Sequence, residues 1–245
     1  MFGLRSERYA PGDVLEVAGC VVRLKVDARA RRVSLRLDAA RREVIATAPS
    51  QRRLKEAAAF AAQRANWISN AVGRLPIVEP IAPGQVLQVL GRACRLEPAA
   101  SRRDQGFFDA GGLELRAAGE GDAFRRSAVR LLKHEALKVF AERSALHAAA
   151  FERPNPRVAV MDARSRWGSC TPARPGREGS IRYSWRLILA PYEIMDYVAV
   201  HECAHLVHAD HSPRFWGLVA TLAPDAKGAR SWLRAHGPRL HAIGR

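Results

Sequence analysis

A chain of 245 residues with 48% hydrophobic and 26% charged residues has the make-up of a globular protein that can bury its own core without disulfides. Its formal net charge of +16 comes from 40 Lys and Arg against 24 Asp and Glu, spread over both halves of the chain. No run of 18 uncharged apolar residues occurs, the opening MFGLRSERYAPGD lacks an apolar stretch, and Cys20, Cys94, Cys170 and Cys203 form no CxxC pair; the expectation is a cytoplasmic protein with reduced thiols, neither secreted nor membrane-spanning.

The first third reads as strands. In VVRLKV (21–26), Val22, Leu24 and Val26 alternate with Arg23 and Lys25, and in RVSLRLD (32–38), Val33, Leu35 and Leu37 alternate with Ser34 and Arg36. Period two puts one face on a core and one in water. Arg23, Lys25 and Arg36 are therefore expected on one basic sheet face, a candidate surface for nucleic acid. EVIATA (43–48) follows as another strand. In LKEAAAFAAQRANWISNAV (54–72), Leu54, Ala58, Ala61, Ala65, Ile68 and Val72 recur at spacings of three and four, which predicts one amphipathic helix over the sheet. After Pro76, Pro80 and Pro83, VLQVLGRACRLE (86–97) reads as a hairpin turning at Gly91-Arg92, and LELRA (113–117) as a strand. AAGEGD (117–122) is the expected linker between a basic, β-rich region 1–118 and a second region 119–245.

That second region opens on a long helix, 123–150, with Phe124, Val129, Leu132, Leu137, Phe140 and Leu146 near one side. RVAVMD (157–162) reads as a strand, TPARPGREG (171–179) as a loop, and SIRYSWRL (180–187) as a strand with Ile181, Tyr183 and Trp185 on one side. Pro191 and Glu193 suit the first turn of a helix expected to run to about His208. Ser212-Pro213 reads as the start of another.

VAVHECAHLVHADHSPRFW (198–216) places His201, His205, His208 and His211 in a mostly apolar run. Imidazoles in such surroundings need hydrogen-bond partners or a metal. On a helix His201 and His205 share a face, with Glu202 about 100° round, the HExxH arrangement. Two neutral imidazoles bind Zn²⁺, and the carboxylate beside them takes the proton of the attacking water. A third protein ligand is required. His208 shares the face but stands about 10.5 Å along the axis. His211 serves if the chain turns before Ser212-Pro213, and Glu193 or Asp225 are the remaining acids considered. Asp210 is a candidate to orient a ligand imidazole, and His208 a candidate for supporting contacts. Cys170 lacks a neighbouring base and reads poorly as a nucleophile.

SRWGSC (165–170), IRYSWRLILAP (181–191), DYVAVHECAHLVH (196–208) and HSPRFW (211–216) together resemble the YgjP-like metallopeptidase family, related to the WLM and SprT-like zincins. The resemblance implies a zincin-like C-terminal half in an α+β fold, one zinc held by His201, His205 and His211, and Glu202 as general base. Cys203 stands where the family pattern more often has Leu and points off the metal face, as core packing would require. Trp167 and Gly168 fit either a cleft wall or a core anchor, and Arg166, Tyr197 and His236 are candidates for oxyanion contact. The expected activity is zinc-dependent peptide hydrolysis, with an extended peptide or protein substrate pairing with the edge of strand 180–187. Two rivals are a zinc-dependent nucleotide or phosphoester hydrolase and a nucleic-acid-associated protein. Against the first, the sequence has no carboxylate cluster for Mg²⁺ and no glycine-rich phosphate loop.

Overall fold

The computed structural model describes residues 9–38, 41–75, 81–109, 111–163 and 166–244. The chain divides into two compact units, one ending at Ile77 and the other beginning at Val78. The expected division in the 117–122 linker is not where the units part. Leu115 and Phe124, on either side of that linker, and Ala117, its first residue, belong to one buried core.

In the first unit β1 (Val14–Val17), β2 (Cys20–Val26), β3 (Ser34–Asp38) and β4 (Glu43–Ala48) form a sheet of order β1-β2-β4-β3. The central pair β2–β4 is parallel and the outer pairs antiparallel. The period-two pattern works as expected, because Val22, Leu24, Val44, Ala46 and Ala48 are buried on one face. The covering helix is two helices, α1 (Leu54–Gln63) and α2 (Ala65–Gly73), broken at Arg64, whose φ of −104° and ψ of 21° leave the helical region. No glycine or proline marks this break in the sequence. Leu54, Ala57, Ala58, Ala61 and Ile68 still close over the sheet.

The second unit begins with β5 (Val86–Val89), β6 (Arg92–Pro98), β7 (Gly106–Asp109) and β8 (Leu113–Ala117), in the order β5-β6-β8-β7. The hairpin turns one residue earlier than expected. Leu90 and Gly91 both have positive φ, as a two-residue turn matching the strand twist requires. The long helix α3 (Gly121–Ala150) buries Phe124, Ala128, Leu132, Ala136, Phe140 and Ser144. That stripe has strict i, i+4 spacing with small residues between large ones, so Leu137 and Leu146, expected inward, are exposed.

β9 (Arg157–Met161), β10 (Gly168–Thr171) and β11 (Ser180–Ser184) form a second sheet of order β10-β11-β9. β11 is therefore central, parallel to β9 and antiparallel to β10. It stops at Ser184, where the expected strand continues as a buried 3-10 turn, Trp185–Leu189. Inside that turn Arg186 is fully buried, donating to Asp162 at 2.5 Å and to the Ile243 carbonyl at 2.9 Å. Helices α4 (Tyr192–Ala204), α5 (Pro213–Leu222) and α6 (Ala226–Ala242) complete the unit. Phe140 of α3 stacks on Tyr183 of β11 with centroids 4.0 Å apart, and the Tyr183 hydroxyl meets Ser144 Oγ at 2.9 Å. Among the described residues no helix is long and apolar enough to cross a membrane.

Candidate metal centre

α4 is apolar on nearly every side: Ile194, Met195, Val198, Ala199, Val200 and Ala204 are all buried. The helix ends at Ala204, not near His208, and His205 is its C-cap. Beyond it the backbone tightens. Leu206 N bonds to Cys203 O and Val207 N to Ala204 O, the i→i+3 pattern that closes a helix end. The turn brings the chain back, and Ser212-Pro213 starts α5 with proline in its first turn.

The consequence is that His201, His205 and His211 converge. One side-chain nitrogen from each lies within 4.8 Å of the other two, and the Nε2 atoms of His201 and His211 are 3.2 Å apart. Two nitrogens on one tetrahedral zinc, each about 2.1 Å from the ion, stand about 3.4 Å apart. His205 Nδ1 lies 3.0 Å from the His208 carbonyl oxygen. A carbonyl only accepts, so Nδ1 carries the proton and Nε2 keeps its lone pair. Burial first, then the neighbouring His205 and His211 and the charge of Arg230, lower the His201 pKa to about 4. His205 is lowered too, chiefly by burial. Three imidazoles clustered in this way suit a cation that accepts their lone pairs together.

Glu202 is buried beside this cluster, 6% exposed, and burial pushes its pKa up to about 7, with Arg166 opposing the rise. Its carboxylate lies against the backbone of Gly168, the first residue of β10. A β-carbon there would fall 2.5 Å from Glu202 Cδ and 2.6 Å from Cγ. WGSC was legible as a turn or core feature; the close approach that demands glycine was not. Trp167 itself stacks on His241, with centroids 4.1 Å apart, and closes over Gly237. It is chiefly a packing residue, with one edge on the cleft.

That cleft has a volume of about 360 Å³ and is lined by Gly168, Tyr197, His201 and Glu202 on one side and by Arg230 and Arg234 of α6 on the other. Tyr197 was singled out from the sequence, and the two arginines were not, because nothing in α6 repeats near the histidines. Other candidates fall elsewhere. His208 contributes its backbone carbonyl, not its ring. Asp210 accepts from Ser212 N at 3.3 Å, so the group that meets a clustered imidazole is the His208 carbonyl and not this carboxylate. Asp225 accepts from Gly228 N at the start of α6. His236 stacks on Trp232 and lines a separate cleft of about 400 Å³ with Val86 and Leu189. Cys203 is fully buried with Sγ 3.7 Å from the Ser144 carbonyl. Burial lifts the Cys170 thiol to about 12, far from a nucleophilic thiolate.

The expected substrate edge also moves. β11 has neighbours on both sides, and β10 is the outer strand on this flank. Ser184 N donates to the Trp167 carbonyl at 2.8 Å. Alternation along an antiparallel ladder then makes 169–182 and 171–180 the bonded pairs, and turns the N–H and C=O of Gly168 and Cys170 away from β11.

In comparisons with known proteins, the family model described as "YgjP-like, metallopeptidase domain" matches residues 31–236. Neither a curated protein nor a solved structure matches the chain.

Proposed function

Because this chain belongs to the YgjP-like metallopeptidase family, we propose that it is a zinc-dependent peptidase in which His201, His205 and His211 hold the metal and Glu202 is the general base. The observation that carries the reading is the convergence of three imidazoles with a buried carboxylate next to the outer strand of a sheet. When bound, zinc supplies Lewis acidity, acidifying a water and polarising a carbonyl oxygen. Glu202 Oε accepts the proton of the attacking water and returns it to the leaving amine nitrogen. Gly168 and Cys170 offer main-chain N–H and C=O groups to an extended peptide, which fixes the scissile bond beside Glu202. Tyr197 lines the same cleft, and burial raises the pKa of its hydroxyl, so it stays an O–H donor there.

The experiment is metal analysis with peptide-library cleavage, wild type against Glu202→Gln. Expected are about one zinc per chain in both proteins and cleavage by the wild type only. Full activity in Glu202→Gln would remove the proposed mechanism.

A second reading, that the N-terminal sheet binds polyanions such as nucleic acid, is favoured by strand register. Arg23 of β2 and Arg36 of β3 both stand opposite Ile45 of β4, while Lys25 stands opposite Thr47, so the three share a face. Arg23, however, donates to the buried Glu43 at 2.9 Å. Lys25 stands 3.8 Å from Asp27, with both side chains exposed, so the cations that the reading relies on are Arg36 and this loosely paired Lys25.

A further inference from the structure

Two arginines line the cleft that holds Glu202 and His201, and the charge of a third bears on Glu202. Arg230 and Arg234, one turn apart on α6, line it with Leu233, and Arg166 acts on Glu202 by its charge. Arg230 is held over the Trp216 ring, with its guanidinium carbon 4.9 Å from the centroid, and its field reaches both His201 and Tyr197. Elsewhere arginines sit on carboxylates: Arg53 on Glu56, Arg92 on Asp109, Arg116 on Asp104, Arg143 on Asp196. Among the described residues no such partner meets Arg166, Arg230 or Arg234, and Glu202 is the one carboxylate lining the cleft. Like charges on a concave wall focus their field on whatever enters.

We infer that the cleft selects acidic polypeptides: an Asp or Glu side chain near the scissile bond enters between Arg230 and Arg234 while the main chain lies along β10. Guanidinium forks match a carboxylate in shape as well as charge. A polypeptide fits better than a nucleic acid because the outward N–H and C=O groups of Gly168 and Cys170 recur at the two-residue repeat of a strand, which an extended peptide backbone matches. The inference rests on the peptidase reading for the substrate's path past Glu202. Neither arginine was expected from the sequence to bear on specificity.

The test uses the zinc-loaded full chain. Cleavage is compared between peptides carrying Asp or Glu at each position flanking the scissile bond and their Asn or Gln isosteres. Binding of fluorescein-labelled acidic and neutral peptides, and of labelled oligo-dT, to Glu202→Gln is read by fluorescence anisotropy. Expected is a kcat/KM ratio of about tenfold or more for acid over isostere, falling towards one in Arg230→Gln/Arg234→Gln and partly kept in Arg230→Lys/Arg234→Lys. Both arginines are exposed, so circular dichroism should show an intact fold. Cleavage without acid preference, or a preference that survives the double Gln variant, overturns the inference and leaves the peptidase reading standing. Arginine-dependent binding of acidic peptide with no cleavage of any peptide supports the inference and sinks the peptidase reading. Oligo-dT bound more tightly than acidic peptide through the same arginines overturns it in favour of nucleic acid. Binding and cleavage of neither peptide overturns both.

Discussion

A β-carbon on Gly168 would occupy the space of the Glu202 side chain, and the backbone of β10 is pinned to β11 by its ladder. In Gly168→Ala the carboxylate must therefore move. A displacement of about 1 Å at a reacting group costs on the order of 100-fold in rate. Steady-state cleavage should fall by that order while zinc content stays near one per chain. Unchanged kcat/KM would show that Glu202 tolerates relocation. The same scale decides between the histidines. His208 offers its main-chain carbonyl to His205, and that carbonyl survives His208→Ala. We expect His208→Ala to keep its zinc and His211→Ala to lose it, as read by metal analysis after dialysis. The reverse pattern would contradict the assigned cluster.

Between elements, α3 and α4 are joined by a compact polar clamp. Arg143 Nε and His147 Nε2 each donate to Asp196 Oδ1 at 2.7 Å, and Arg143 Nη2 donates to Oδ2 at 3.1 Å. Burial on its own would raise the Asp196 pKa; the hydrogen bonds from His147 and Arg143, with their charges, outweigh it and leave the pKa lowered. A carboxyl whose folded pKa is depressed stabilises the fold above its unfolded pKa, and that stability is lost as pH falls through the folded value. Asp196→Asn should cost about 1–3 kcal/mol at pH 7. Its gap to wild type should narrow as pH drops below the ordinary carboxylate range, measured by urea unfolding at a series of pH values. A gap that is constant with pH would mean the clamp acts by packing alone. Next to it, Phe140→Ala removes the ring stacked on Tyr183 and should cost about 3–5 kcal/mol.

At the scale of the whole molecule the +16 charge is distributed unevenly in its chemistry. Some arginines serve structure. Arg23 bonds to Glu43, whose side chain is only 4% exposed, and Arg186 is wholly buried. Others, Arg36 on the N-terminal sheet and Arg230 and Arg234 at the cleft, are exposed cations. If the sheet face binds polyanions, affinity for duplex DNA falls with salt at a log–log slope of about −0.9 per phosphate neutralised. Lys25→Gln/Arg36→Gln should make that slope shallower without changing zinc content or melting temperature. Arg23→Gln should lower the melting temperature, since it leaves the buried Glu43 with only the longer 3.6 Å contact to Arg41. An unchanged slope in the Lys25/Arg36 variant would assign that charge to solubility.

The local pattern of residues was enough for much of this. Alternation in 21–26 defined a buried strand face because a pleated strand turns each side chain to the opposite side of its neighbours. HExxH and the Ser-Pro seven residues beyond it marked the histidine cluster, since both are matters of spacing along the chain. Tertiary structure alone decided the rest. The split at Ile77/Val78 depends on which residues share a core, and Leu115, Ala117 and Phe124 share one across an apparent linker. β10, not β11, became the open edge because strand order is set by long-range pairing that no short motif encodes. Helix α4 stopped at Ala204, and the tightened turn after it returned His211 to His201. Arg230 and Arg234 reached the cleft, and Gly168 reached Glu202, through the packing of α6 and β10 around α4. These are distances between segments far apart in sequence, fixed only when the core closes.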